Sequence, residues 1–499
     1  MNSISVGVWA VLLVSMPLAL ALIAYVFGRR VRPLLVWIAP AAMVACVVGI
    51  VDALMTHGPS VYQVGGWAPP LGITWRIDGL CVAMLSVTTL TIGLVCVYAA
   101  KYFSDAEDES GSVGSDLFWP LVFFLWSALN ALFLSADVFN VYVTLELLTL
   151  ASVGFIALSG TPQALAAALR YLVLGLLASL LYLMGVALLY GTYGTLDMGT
   201  IADQLTPNLP TWTAAGLLLA GLIIKTALFP LHFWLPPAHG AAPAPASALL
   251  SALVVKASFY LVLRYWFDVF DVSTVVAGQL LGSLGAGAIV WGSVLALRAE
   301  RLKNLIAYST VAQLGYLFLV FPMSSSPDVA KTAWLGVVLF ALSHSLAKAS
   351  MFLAAGRIAQ LGNGDRLDAM TGVGRQAPLA VTATALAGVS LMGLPPSGGF
   401  AGKWMLLVAG VKSGQWWWAL VIVLGGLLTA AYLFRFWRVA IAASDSGTDS
   451  AVRTNWQLEL PAVALGAAAM LLLFFTPQIV ELLELQAADS SNTLAEAIP

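Results

Sequence analysis

Apolar residues run in segments of about twenty along almost the whole chain, and short polar segments separate them. A bilayer core is about 30 Å thick, and an α-helix needs about 20 residues to cross it. The pattern therefore predicts an all-α, multi-pass membrane protein with about 14 transmembrane helices. The predicted spans are 5–27, 34–54, 78–101, 117–134, 137–158, 165–191, 212–231, 244–265, 277–297, 303–323, 331–357, 378–411, 416–441 and 458–478.

Two of the predicted helices are broken. The seventh passes Lys225 and then meets Pro230 and the pair Pro236–Pro237, and the twelfth is interrupted by GLPPSGG at 393–399. Proline removes an amide donor and clashes with the preceding turn. In a membrane such a break persists only where protein or a water-filled cavity satisfies the freed backbone.

The spacing of the two breaks predicts an internal repeat. They lie five helices apart, so the two broken segments run in opposite directions, which is typical of inverted repeats in transporters. We therefore expect two inverted five-helix repeats, with helices 7 and 12 broken. The predicted domains are N-terminal helices 1–3 (1–116), a first repeat of helices 4–8 (117–265), a second repeat of helices 9–13 (277–441), and helix 14 with a C-terminal tail (458–499).

Composition supports the membrane assignment and narrows the chemistry. Of 499 residues 61% are hydrophobic and 9% charged, whereas a soluble domain has about 25% charged residues. The 22 basic residues form no stripe or nucleic-acid-reading motif. No CxxC pair, strand-associated GxGxxG loop or haem motif is present. We expect no cofactor, no metal and no redox or hydrolytic chemistry on this chain, although it could be a subunit of an oxidoreductase.

The positions of lysine and arginine predict an orientation. Basic residues are enriched in cytoplasmic loops of membrane proteins, and here they alternate from loop to loop. We therefore expect both termini on the non-cytoplasmic side. The predicted cytoplasmic loops contain Arg29, Arg30 and Arg32; Lys101; Arg298, Arg301 and Lys303; Arg357, Arg366 and Arg375; and Arg435, Arg438 and Arg453.

One glutamate and four lysines lie deep inside predicted spans: Glu146, Lys225, Lys256, Lys348 and Lys403. Each costs roughly 2.5–3.5 kcal/mol near a bilayer centre, and such residues usually mark ion or proton pathways. Burial disfavours the charged form of a lysine, and a nearby carboxylate favours it. Glu146 is the acid placed deep in a predicted span, so we hypothesise that it pairs with Lys225.

Three histidines lie beside these elements. Histidine titrates near neutral pH and suits a proton relay. His344 and Lys348 are four residues apart and therefore share one helical face. This pair is either part of a relay or a hydrogen-bonded packing pair. His232 and His239, beside the first break, are secondary candidates.

Five segments together are similar to the antiporter-like subunits, the large membrane subunits of respiratory complex I, group 4 hydrogenases and Mrp-type sodium/proton antiporters. In order along the chain they are DVFNVYVTLELLTLASVGFIAL (137–158), FPLHFWLPPAHGAAPAPASALLSALVVK (229–256), LKNLIAYSTVAQLGYL (302–317), LSHSLAKASMFLAAG (342–356) and GLPPSGGFAGKW (393–404). The resemblance implies a fourteen-helix fold with two inverted repeats, a central proton-carrying axis, and a place among other membrane subunits in a bacterial inner membrane.

The resemblance also implies roles for individual residues. Glu146 and Lys225 would be the modulating pair, and Lys256 the central lysine. His344 and Lys348 would line the middle of the path, and Lys403 would be the terminal lysine of the second half-channel.

Within that family, Lys403 argues against the M type, which has glutamate in the twelfth helix. The chain ends soon after the fourteenth span, unlike the L type with its long lateral helix. The N type and the D type of Mrp antiporters remain, with protons and possibly Na⁺ as the transported ions. Two other classes stay open: a stand-alone secondary cation/proton transporter, and a structural membrane subunit whose charges brace helix packing.

Overall fold

The computed structural model describes residues 2–110, 113–271, 275–324, 326–361, 364–442 and 455–485. Arg453 and the predicted C-terminal tail beyond 485 lie outside these residues. The helices are α1 (Asn2–Phe27), α2 (Arg32–His57), α3 (Gly79–Ser110), α4 (Val113–Leu134), α5 (Val138–Ala157), α6 (Pro162–Tyr193), α7 (Met198–Asp203), α8 (Leu209–Thr226), α9 (Leu235–Ala241), α10 (Ala244–Leu249), α11 (Val255–Leu263), α12 (Val275–Arg298), α13 (Leu302–Leu317), α14 (Pro327–Leu361), α15 (Val373–Gln376), α16 (Pro378–Met392), α17 (Gly398–Lys412), α18 (Trp416–Ile441), α19 (Trp456–Leu471) and α20 (Thr476–Glu484).

The predicted fold class is confirmed. Within the described residues, twelve helices are long and apolar enough to cross a bilayer. A bent pair, α19 and α20, whose axes differ by 75°, adds another candidate span. The last of the fourteen predicted spans is formed by α16 and α17 in series, each of 15 residues. The sequence pattern did not predict the bend between α19 and α20.

A short β-hairpin marks one end of the bundle. Strands β1 (Ser60–Gln63) and β2 (Thr74–Ile77) pair antiparallel between α2 and α3. β2 also pairs with Ser135 at the end of α4 through an isolated bridge. We call this end of the bundle the hairpin face. The opposite end, which contains the α1–α2 and α12–α13 connections with their arginines, is called the basic face.

Both predicted breaks are present. α8 runs from the hairpin face and ends at Thr226, where Ala227 has a positive φ of 58°. In the second repeat, α16 starts at the basic face and ends before Gly393, whose φ is 81°. The Ser397 hydroxyl then accepts from Phe400 N at 3.1 Å and starts α17. Each break is in the fourth helix of its set of five, and the two sets run in opposite directions, as an inverted repeat requires.

Three spans form the centre of the bundle. The most apolar windows of α14 and of the continuous segment Ala244–Val269 are completely buried, and that of α13 is almost so. The segment Ala244–Val269 joins α10 and α11 through a π-helix at Leu250–Val254 and ends in another at Arg264–Val269. By contrast, α1, α2, α6 and α18 leave much of their apolar surface exposed. The central helices therefore position Lys256 and Lys348 away from lipid.

Candidate functional site

The structure brings Glu146 and Lys225 together, although 79 positions separate them in the chain. Lys225 Nζ lies 3.5 Å from Glu146 Oε1 and donates to Thr149 Oγ1 at 2.7 Å. The Ser179 hydroxyl donates to the same carboxylate oxygen. Lys225 is buried, whereas the Glu146 side chain remains 21% exposed. The pair thus joins α5, α6 and α8 just before the first break.

Lys256 is bonded to its own helix. Its side chain is 1% exposed, and Nζ donates to the carbonyl of Ser251 in the π-helical turn. The Ser251 hydroxyl shares a hydrogen bond of 2.9 Å with Thr310 of α13. π-helical turns break the regular α-helical bonding pattern and occur often at functional sites. Here the turn places a carbonyl oxygen at the lysine.

His344 and Lys348 occupy the centre of α14. Lys348 Nζ donates to the carbonyl of Ile306 at 3.1 Å and to the Ser309 hydroxyl. The His344 ring stacks on Phe340, and neither ring nitrogen has a hydrogen-bond partner within the described residues. The two side chains therefore do not hydrogen-bond to each other, so the packing-pair alternative lacks its predicted bond.

Lys403 follows the second break. Its Nζ donates at 2.6 Å to the carbonyl of Leu391, one of the last in α16, which the end of that helix leaves available. It also lies 3.9 Å from the ring centroid of Tyr316 and 5.3 Å from that of Phe340. A cavity of 240 Å³ opens beside it between α16, α17 and α18.

The two secondary candidates differ in their surroundings. His239 stacks on Phe352 of α14 with ring centroids 4.8 Å apart, and its Nδ1 has no hydrogen-bond partner in the described chain. His232 stacks on Phe229 beside the first break. His239 therefore lies against the helix that also bears His344 and Lys348, whereas the ring stacking of His232 is confined to the break.

Sequence reasoning missed the polar face of α13. Ser309 contacts Lys348, Thr310 contacts the Ser251 turn below Lys256, and Tyr316 covers Lys403. Gln313 donates from Nε2 to Thr429 at 3.0 Å. Ser309, Gln313 and Tyr316 lie at i, i+4 and i+7, the spacing of one helical face, and Thr310 lies beside them. That periodicity within YSTVAQLGY was the available signal.

Lys256, Lys348 and Lys403 share one property. Among the described residues, no carboxylate lies within ion-pair distance of any of them, and Glu146 is the one acid in contact with the series. Fold and site thus define a multi-pass membrane protein with ionisable side chains buried along its central helices. Such residues are rare in membrane spans and typical of ion pathways.

Comparison with known proteins identifies the family. Residues 135–429, more than half of the chain, match the transmembrane family described as NADH:quinone oxidoreductase/Mrp antiporter. The chain is 33% identical to the N subunit of the NADH-quinone oxidoreductase of Desulforudis audaxviator, and the alignment covers 98% of both proteins. It is 27% identical to the D-type subunit of the Na(+)/H(+) antiporter of Bacillus subtilis, with 88% of both covered. The chain belongs to the NADH:quinone oxidoreductase/Mrp antiporter family.

The fold comparison agrees. A chain of the Mrp complex from a Dietzia species superposes with a TM-score of 0.86 at 24% identity, with 98% of both chains covered. The expected resemblance and the expected fold class are therefore confirmed. The roles of the individual buried residues remain predictions.

Proposed function

We propose that this chain is a proton-translocating subunit of a multi-subunit membrane complex. The observation that carries the proposal is the series of buried lysines on the central and broken helices, of which Lys225 alone has an acidic partner among the described residues. Its relatives named above are subunits of an NADH-quinone oxidoreductase and of a Na(+)/H(+) antiporter. The working units are the predicted repeats, 117–265 and 277–441.

The chemistry of the lysines supports a relay. An ammonium that is buried without a counter-ion carries a large desolvation cost, so its charged and neutral forms can exchange when the surroundings change. Lys256, Lys348 and Lys403 meet carbonyl and hydroxyl oxygens instead of carboxylates. Glu146 acts on Lys225 as an adjustable counter-charge. Moving the carboxylate away favours release of a proton from Lys225.

Histidine and amide groups extend the axis. Both nitrogens of His344, Nδ1 of His239 and Oε1 of Gln313 are buried and lack a protein partner among the described residues. Buried polar atoms of this kind are typically satisfied by ordered water. Water bridges at these atoms would connect lysines that do not contact one another directly. This supports a hydrated relay through His344.

The source of energy lies in the partner subunits. We infer that this chain bears no redox cofactor and that electrons, if the complex is a quinone oxidoreductase, run elsewhere. The two relatives represent the two driving reactions, redox and ion exchange. Gentle extraction followed by mass spectrometry separates them: soluble redox subunits indicate the first, and only small hydrophobic subunits with a larger paralogue indicate the second.

We also propose an orientation in a bacterial inner membrane. The basic face contains Arg32, Arg301, Arg366 and Arg435, and basic loops favour the cytoplasm. The hairpin face and both termini are then on the non-cytoplasmic side.

Driven proton flux in the assembled complex tests the proposed function. The complex is reconstituted in liposomes with Lys225→Ala or Lys256→Ala, and flux is measured with a pH-sensitive dye. Each variant should block flux while the complex stays assembled. Lys412→Ala, at the end of α17, is the matched control and should keep it. Normal flux in both Lys225→Ala and Lys256→Ala, with normal assembly, would refute the lysine relay.

A further inference from the structure

Four charged side chains form a closed ring at the hairpin face. Arg76 Nε lies 3.0 Å from Asp78 Oδ2, and Asp78 Oδ1 lies 2.6 Å from Arg264 Nη2. Arg264 Nη1 lies 2.9 Å from Asp268 Oδ2, which in turn is 3.2 Å from Arg76 Nη1. Positive and negative groups therefore alternate around the ring. Asp78 is completely buried, and the other three side chains are at most 19% exposed.

The ring connects the hairpin to the helix that bears the central lysine. Arg76 is part of strand β2, and Asp78 caps the start of α3 by accepting from Cys81 N at 3.0 Å. Arg264 and Asp268 belong to the π-helical turn at the end of the span Ala244–Val269. The ring therefore fixes the hairpin to the end of the Lys256 span.

A polar stripe leads from Lys256 to the ring. Lys256, Tyr260, Arg264 and Asp268 follow one another at intervals of four, so they share one face of the span. The guanidinium of Arg264 lies 5.0 Å from the ring centroid of Tyr260, and the Tyr260 hydroxyl donates to the carbonyl of Phe133 at 2.7 Å. Twelve residues of helix span roughly 18 Å. The stripe thus runs from the middle of the bundle to the hairpin face.

The chemistry of the ring differs from that of the lysine series. A guanidinium does not give up its proton in a protein, and each carboxylate of the ring lies between two guanidinium groups. Fixed arginines also repel protons and other cations in membrane pores. The ring is therefore suited to block a proton path and unsuited to carry one.

We propose that this ring is a gate that closes the hairpin-face end of the Lys256 stripe and prevents proton leak while the complex is idle. The inference rests on the proposed function, because the gate matters only if Lys256 carries protons. Since Arg76 belongs to the hairpin, displacement of the hairpin opens the ring. A gate of this kind and a purely structural brace predict different proton permeabilities when one arginine is removed.

The test is passive proton permeability of the intact complex in liposomes, with the driving reaction absent and a potassium diffusion potential applied. Arg264→Gln should raise the leak by about tenfold or more, which corresponds to about 1.4 kcal/mol of lost barrier. Arg76→Gln, at the partly exposed side of the ring, should raise the proton leak less than Arg264→Gln does. It also tests the gate if the complex with Arg264→Gln does not assemble.

The matched control is Arg357→Gln. It also removes a guanidinium from a buried ion pair, with Glu459 at 3.1 Å, but this pair is outside the stripe. Its leak should equal that of the wild type. The double variant Arg264→Gln/Lys256→Ala should lose the leak, because the protons would pass through Lys256.

Two results would overturn the gate: wild-type leak in Arg264→Gln and Arg76→Gln complexes that are fully assembled, or a leak that persists in the double variant. The second result would mean that the ring only braces the packing. Failure of the proposed function is separate, because it would appear as normal driven flux in Lys256→Ala alone.

Discussion

Neutralising Glu146 should impair proton flux more than removing either neutral side chain around the pair. At 3.5 Å the attraction between the Glu146 carboxylate and the Lys225 ammonium is about 5 kcal/mol at an effective dielectric constant of 20. This is an upper figure, since the carboxylate is partly exposed. The hydrogen bond from Lys225 to Thr149 contributes about 1.5–3 kcal/mol, as is usual for a charged donor. The carboxylate therefore stabilises the charge of Lys225 more than the Thr149 hydroxyl does.

The comparison uses three variants of the complex in liposomes, assayed by driven proton flux. Glu146→Gln should reduce flux by tenfold or more, since 1.4 kcal/mol of the lost attraction already corresponds to about a factor of ten. Thr149→Val and Ser179→Ala each remove one hydrogen bond and keep both charges, so their losses should be smaller. Two results would refute the role of Glu146 as the counter-charge of Lys225. One is a loss of flux in Thr149→Val as large as that in Glu146→Gln, and the other is wild-type flux in Glu146→Gln.

Three further predictions concern the second break, the basic face and the orientation. Gly393→Ala should reduce flux, because the added Cβ would meet Lys403 Cδ at 2.7 Å. Gly414 also has a positive φ, but a Cβ added there would meet nothing within 4 Å. Gly414→Ala should therefore keep normal flux and cost only the backbone strain of about 1–2 kcal/mol. Arg357→Met should lower the thermal unfolding temperature, because it leaves Glu459 buried without its partner at a cost of about 3–5 kcal/mol, while flux per assembled complex stays normal; an unchanged unfolding temperature would contradict the assigned ion pair. A single cysteine introduced in the hairpin should react with a membrane-impermeant thiol reagent added outside intact cells. If that cysteine reacts only when the reagent reaches the cytoplasmic side, the proposed orientation is wrong.

Much of the fold follows from local pattern. Apolar segments of bilayer length and the prolines and glycines of the two breaks are properties of contiguous residues, so the number of spans and the broken helices were predictable. The bend between α19 and α20 was missed, although Pro477 in the first turn of α20 is a local signal for it, because proline is tolerated at a helix start and breaks a helix interior. The π-helical turn below Lys256 is invisible in periodicity, because its residues are as apolar as those of an α-helix.

The candidate site was predictable only in part. An ionisable residue within an apolar segment can be recognised from the sequence, and Glu146 and Lys225 were found in that way. Their contact depends on how α5 and α8 pack, which spacing along the chain does not determine. The ring of Arg76, Asp78, Arg264 and Asp268 was missed for the same reason, since its members lie in a hairpin, a helix cap and a distant span.

The most direct test of the central claim is driven proton flux in the assembled complex carrying Lys348→Ala. Lys348 lies in the completely buried centre of α14, and its amine donates to the Ile306 carbonyl and the Ser309 hydroxyl of α13. Removing its amine should therefore interrupt transfer between the two halves and abolish flux, while Lys331→Ala at the hairpin-face end of the same helix leaves it normal. Flux in Lys348→Ala equal to that of the wild type, in a complex of normal composition, would contradict a proton path through the buried lysines.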